Sequence, residues 1–206
     1  QYTEKIIFIN KENKQKSIFL YRKSVSVDPK ALSLIKFGIL KEKLPLMLNT
    51  WHKNFKNIAP ISSYLIESLQ KNKKRFDVPD FLIIAQALDG YHKRFVNKKD
   101  GKDIRKYEEQ IKILLNQFTD VKAIEKCHIK PEVLTDSRNY YSHLFPDEEK
   151  KSAVESDDLY WLTEKCKVLL TCCILNMLGL TNKEINLCCE QSPISQIIDS
   201  LPLEIE

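Results

Sequence analysis

The chain has 206 residues, of which 43% are hydrophobic and 30% charged, so it is long enough for a domain with its own core and too apolar to be intrinsically disordered. Only 4 glycines argue against an all-β fold, which needs many tight turns, and favour helices joined by short polar loops. The formal net charge of +5 permits a nucleic-acid partner without requiring one.

Two short runs open the chain, Lys5 to Ile9 and Ser17 to Tyr21, rich in branched and aromatic residues, with a polar turn from Asn10 to Lys16 between them. They predict two β-strands in a hairpin. A lone hairpin is marginal in water, so residues 1–25 read as a strand pair left at the end of an upstream domain that is missing or truncated, or as one that packs on the helices. Residues 26–206 read as a helical domain. Pro45 sits where a helix starts, followed by Leu46 to Phe55. Pro60 opens a second helix with Ile61, Tyr64, Leu65 and Leu69 on one face. After the basic run Lys71 to Arg75, Pro79-Asp80 begins a helix carrying Phe81, Ile84, Ala85, Leu88, Tyr91 and Phe95. The next helix carries Ile104, Tyr107, Ile111 and Leu114. Pro131 starts a further one, ended by Pro146. Asp147 to Ser156 reads as an acidic, mobile loop. Asp157-Asp158 then suits the N-terminus of the longest helix, Leu159 to about Leu180. Gly179 and Asn182 mark its end, and short helices follow near Asn182 to Glu190 and Pro193 to Leu201. The fold class is all-α, a helical bundle with a short N-terminal strand pair.

No N-terminal segment has the layout of a secretory signal, and the apolar stretch Val168 to Leu180 is too short to span a bilayer. The expectation is a cytoplasmic protein with no membrane contact. Adjacent cysteines, Cys172-Cys173 and Cys188-Cys189, point about 100° apart on a helix and make a poor metal chelate. The six cysteines read as small buried residues.

The segment Arg138-Asn139-Tyr140-Tyr141-Ser142-His143 carries the clearest chemistry. Glu132, Asp136, Asn139 and His143 share one face of an unbroken helix. Arg138 lies about 140° around from His143, so the pair converges only if the last turn distorts. The pair suits RNA cleavage without a metal or cofactor. A histidine takes or gives the proton of a ribose 2′-hydroxyl. An arginine holds the phosphate and the charge that builds on it. Asn139 and Asp136 fit supporting roles, and Tyr140 offers a ring for a single-stranded base. The spacing alone is weak evidence and by itself favours an Arg138 that caps a helix end or pairs with an acidic neighbour and a His143 that terminates the helix.

The stretch from about Pro45 to Leu180 resembles the HEPN domain of ApeA-like proteins, bacterial anti-phage abortive-infection factors. The residues carrying the likeness are Phe81 to Phe95, Asp136 to His143, and Leu159 to Lys167. Arg138, Asn139 and His143 match the family's arginine, polar residue and histidine. Where the usual member has a glutamate in the first block, this chain has Asp89-Gly90. The resemblance implies a metal-independent RNA endonuclease acting as a homodimer with a composite active site. It implies catalytic Arg138 and His143, and an RNA substrate such as transfer RNA. It also leaves open a non-catalytic module that binds RNA, a nucleotide or a protein partner. His92, beside the apolar face of its helix, reads chiefly as a hydrogen-bonded, partly buried residue and secondarily as an RNA contact. Lys93, Arg94, Lys98, Lys99 and the Lys71 to Arg75 run are candidate phosphate guides.

Overall fold

A computed structural model describes residues 2–9, 15–22, 34–35, 37–70, 77–97, 106–190 and 192–201. The chain divides into two compact units, Gln1–Leu32 and Ser33–Glu206. In the first, β1 (Tyr2–Ile9) pairs antiparallel with β2 (Gln15–Arg22), in register from Tyr2 opposite Arg22 to Ile9 opposite Gln15. The polar residues Gln15 and Lys16, expected in the turn, belong to β2.

The second unit is a helical bundle. Its first helix, α1, runs unbroken from Phe37 to Gln70 with Pro45 and Pro60 inside it. This corrects the expectation of two helices, each begun by a proline. It also makes α1, not the helix after Asp157, the longest. Each proline removes one backbone hydrogen bond four residues back. The residues so affected, Lys41 and Lys56, are exposed, and water can serve the freed carbonyls. Burial of Met47, Ile58, Ile61 and Leu65 against the core holds the helix across both sites.

Helix α2 (Val78–Tyr91) begins with a reciprocal cap. Asp77 accepts from the Asp80 backbone N–H, and the Asp80 carboxylate accepts from that of Asp77. It continues into a π-helical turn, His92–Val96. Then come α3 (Tyr107–Asn116), the short α4 (Lys122–Cys127), α5 (Pro131–His143), α6 (Ser156–Met177), α7 (Asn182–Glu190) and α8 (Pro193–Asp199). Ile104 and the basic positions Lys71 to Arg75, Lys98 and Lys99 lie outside the described residues.

The core forms where α2 lies along α6. Phe81, Ile84 and Leu88 from α2 meet Leu162, Cys166 and Leu169 from α6, with Ile111 and Leu114 of α3 added. The Tyr91 hydroxyl donates to the Cys173 carbonyl and ties the two central helices. All six cysteines are buried and none forms a disulfide, and burial pushes the Cys127 thiol up to about 12, so that thiol stays protonated near neutral pH. Gly179, at φ +95°, turns the chain from α6 toward α7. A Cβ there would also stand 3.1 Å from the Leu46 side chain of α1, which would have to give by a few tenths of an ångström, so the positive φ is what calls for glycine.

Residues 147–155 are not a free loop. They include a short 3₁₀ turn, Asp147–Glu149, and they bury Ala153 and Val154. Val154 is held at both its polar groups. Its N–H donates to the buried Ser137 hydroxyl, and its carbonyl accepts from the Tyr141 hydroxyl. The acidic composition suggested mobility, but these contacts strap the segment onto α5. Among the described residues no helix is long and apolar enough to cross a membrane.

Candidate active site

Helix α5 starts at Pro131, whose missing N–H is no loss in a first turn. It ends because Leu144 adopts a left-handed conformation (φ 52°), with the N–H of Phe145 reaching back to the Tyr140 carbonyl. The helix is regular as far as His143. Arg138 and His143 therefore stay about 140° apart in direction and about 7.5 Å apart along the axis. The last-turn distortion that would bring them together does not occur.

Arg138 is half-buried and lines an open groove of about 530 Å³ with Asp89, Lys93, Lys106, Tyr107 and Asn139. Its guanidinium carbon stands 5.6 Å from the centre of the Tyr107 ring, within cation–π range. One guanidinium nitrogen donates to the Asn139 side-chain carbonyl at 2.9 Å. Around the same groove Lys93 pairs with Asp89 at 2.7 Å, and Lys112 pairs with Glu108 at 2.5 Å. These two pairs largely cancel their own charge. Arg138 and Lys106 are the groove's cations with no carboxylate partner among the described residues.

His143 lies outside that groove. It is exposed on the last turn of α5, where its ring stacks on Phe145 at 5.3 Å. Leu144, 86% exposed, lies between them in sequence. Tyr140 donates to Asp147 at 2.7 Å, and that hydrogen bond pushes its phenol up to about 12. Asp136 accepts from the Ser152 hydroxyl at 2.7 Å and so holds the strap. The face expected to unite Glu132, Asp136, Asn139 and His143 is thus divided. Asn139 joins the groove, Asp136 joins the strap, and Glu132 and His143 remain exposed.

The three basic candidates on the second block separate in the same way. Lys93 is exposed and lines the groove. Arg94 donates to the Asn57 carbonyl at 2.7 Å and is bound to α1 instead. His92 has no exposed surface, and neither ring nitrogen has a hydrogen-bond partner. Burial holds its pKa below the usual histidine value. Its reading as an RNA contact is corrected: a fully enclosed ring cannot reach RNA in this conformation. The expected hydrogen bond is missing too.

The residue that sequence reasoning overlooked is Tyr107. It was legible only as one apolar position of a helix, because its partner Arg138 lies 31 positions further on. No local spacing links them.

The family model described as Apea-like HEPN matches residues 82–184, half of the chain. The chain belongs to the Apea-like HEPN family. The matched span contains the groove walls and the whole of α5 and α6, so the HEPN resemblance and the all-α fold agree on the same residues. No curated protein and no solved structure matches the chain.

Proposed function

We propose that this HEPN domain is a metal-independent RNA endonuclease of anti-phage defence, in which Arg138 holds the scissile phosphate and His143 handles the proton. The observation that carries the reading is Arg138 itself. It lies within the family match, faces a groove, and keeps most of its five N–H donors free of partners among the described residues. A ribose 2′-oxygen attacks the adjacent phosphorus while the histidine takes its proton. The bond from phosphorus to the 5′-oxygen breaks, and that oxygen gains a proton. The products carry a 2′,3′-cyclic phosphate and a 5′-hydroxyl.

Within one protomer His143 stands outside the Arg138 groove. The reading therefore uses a homodimer, in which the histidine of one copy serves the arginine groove of the other. The RNA, for which transfer RNA is the proposed class, lies across that junction. The cytoplasm is the proposed compartment, and the strand pair of residues 1–25 is the proposed end of an upstream domain. The separation of Arg138 from His143 also favours a second reading, a non-catalytic HEPN module in which Arg138 binds phosphate without cleavage.

Total RNA incubated with the protein in EDTA, beside an Arg138→Ala/His143→Ala variant, separates the two. Cleavage by the wild type alone, with cyclic-phosphate ends, establishes the nuclease. RNA binding lost with Arg138→Ala, but no cleavage by the full-length protein, establishes the module.

A further inference from the structure

We infer that Tyr107 is a positioning residue for Arg138: its ring fixes the guanidinium so that the free donors face a phosphate in the groove. The inference rests on the phosphate-holding role proposed above and assigns a second residue to that site.

An arginine side chain loses much rotational freedom when it binds a phosphate through two parallel hydrogen bonds. A site that holds the guanidinium beforehand avoids part of that loss. Three observations identify Tyr107 as the holder. First, the ring itself is held. Tyr107 is the first residue of α3, is 8% exposed, and donates its hydroxyl to the Ala85 carbonyl of α2 at 3.0 Å. Second, the guanidinium lies over that ring at 5.6 Å, while Asn139 takes one N–H at its edge. A contact on the face and a contact on one edge leave the other donors for the groove. Third, no described carboxylate pairs with Arg138, although Asp89 and Glu108 line the same groove and each is engaged by its own lysine. The aromatic face thus holds the arginine without neutralising it, as an acid would. Burial, with the neighbouring Cys166 thiol and Asp89, keeps the Tyr107 phenol well above its ordinary pKa, so the ring stays neutral beside the cation.

The test compares ring with no ring. Tyr107→Phe loses the hydroxyl contact and keeps the ring, while Tyr107→Leu loses both. The probe is a short fluorescein-labelled RNA, methylated at every 2′-oxygen so that it cannot be cleaved, with binding read by anisotropy. Tyr107→Leu is expected to weaken binding about 5- to 30-fold, and Tyr107→Phe to restore most of it. In an Arg138→Ala background Tyr107→Leu is expected to add nothing, because it acts through the arginine. Equal weakening by both tyrosine variants, no weakening by Tyr107→Leu, or losses that multiply with Arg138→Ala would overturn the inference and leave the phosphate reading standing. Unchanged binding by Arg138→Ala would overturn both. Should Tyr107→Leu fail to fold, the wild type still decides by NMR. The Arg138 side-chain signals must be displaced from ordinary arginine positions by the ring current of Tyr107 in the wild type. Ordinary positions in the wild type itself would sink the idea.

Discussion

Arg138 and His143 sit on one helix, five positions apart, in opposite surroundings. The arginine is half-buried, placed over a fixed ring at cation–π distance, and tied to Asn139 beside a groove. The histidine is exposed at the helix end, touching only Phe145 among the described ring contacts. A built environment of this kind suits a group that must hold one orientation against a developing charge. An exposed tip suits a group that meets its target on something else. The contrast teaches that a motif's spacing names its members but not a shared site. On a regular helix, five positions turn the two side chains away from each other.

The strongest way to break that contrast is to divide the motif between two chains. If His143 serves the partner's groove, Arg138→Ala and His143→Ala will each lower RNA cleavage by about 100-fold or more. Mixed in equal amounts and allowed to exchange, they will recover about a quarter of wild-type activity. Half of the dimers are then mixed, and each mixed dimer has one intact site of two. A mixture as inactive as its components would mean that the two residues do not meet across a dimer.

A smaller effect isolates the frame behind the motif. Ser137 is fully buried between Arg138 and Asp136 in sequence, and its hydroxyl accepts from the Val154 N–H at 3.1 Å. Ser137→Ala leaves that N–H enclosed without a partner, at an expected cost of about 1–3 kcal/mol in urea unfolding. The groove contacts of Arg138 do not involve Ser137, so RNA affinity at a temperature where the variant is folded is expected to stay near wild type. A stability loss with a parallel loss of affinity would mean that the strap shapes the groove as well as the tip.

Much of this was legible in the sequence, and what was not has physical causes. The helix from Pro131 announced itself by its proline, and α2 by Pro79-Asp80 and its apolar spacing, because these signals are local. Pro45 and Pro60 misled for the same reason. A proline ends a helix by propensity, but burial of Ile58 and Ile61 on either side of Pro60 outweighs one lost hydrogen bond. The 147–155 segment looked mobile because charges suggest solvent, whereas its fate depends on Ser137 and Tyr141 reaching Val154 across the turn. Tyr107 was hidden because a stacking partner on another helix leaves no periodic trace.

The finest probe extends the contrast to the second block, where His92 is the enclosed counterpart of the exposed His143. Both ring nitrogens of His92 lack partners, so the fold accepts the neutral ring and disfavours the cation. Because burial lowers its folded pKa, the unfolded chain binds a proton more readily as pH falls below about 6.5. The neutral ring is therefore fully tolerated above that pH, and stability declines as pH drops toward the folded value. His92→Leu removes this proton and fills the same space with apolar atoms. It is expected to match or slightly exceed wild-type stability at pH 7, and to flatten the fall in urea midpoint as pH drops below about 6.5. An unchanged slope would mean that His92 opens to water or finds a partner in solution. That result would return it to the set of residues able to reach RNA.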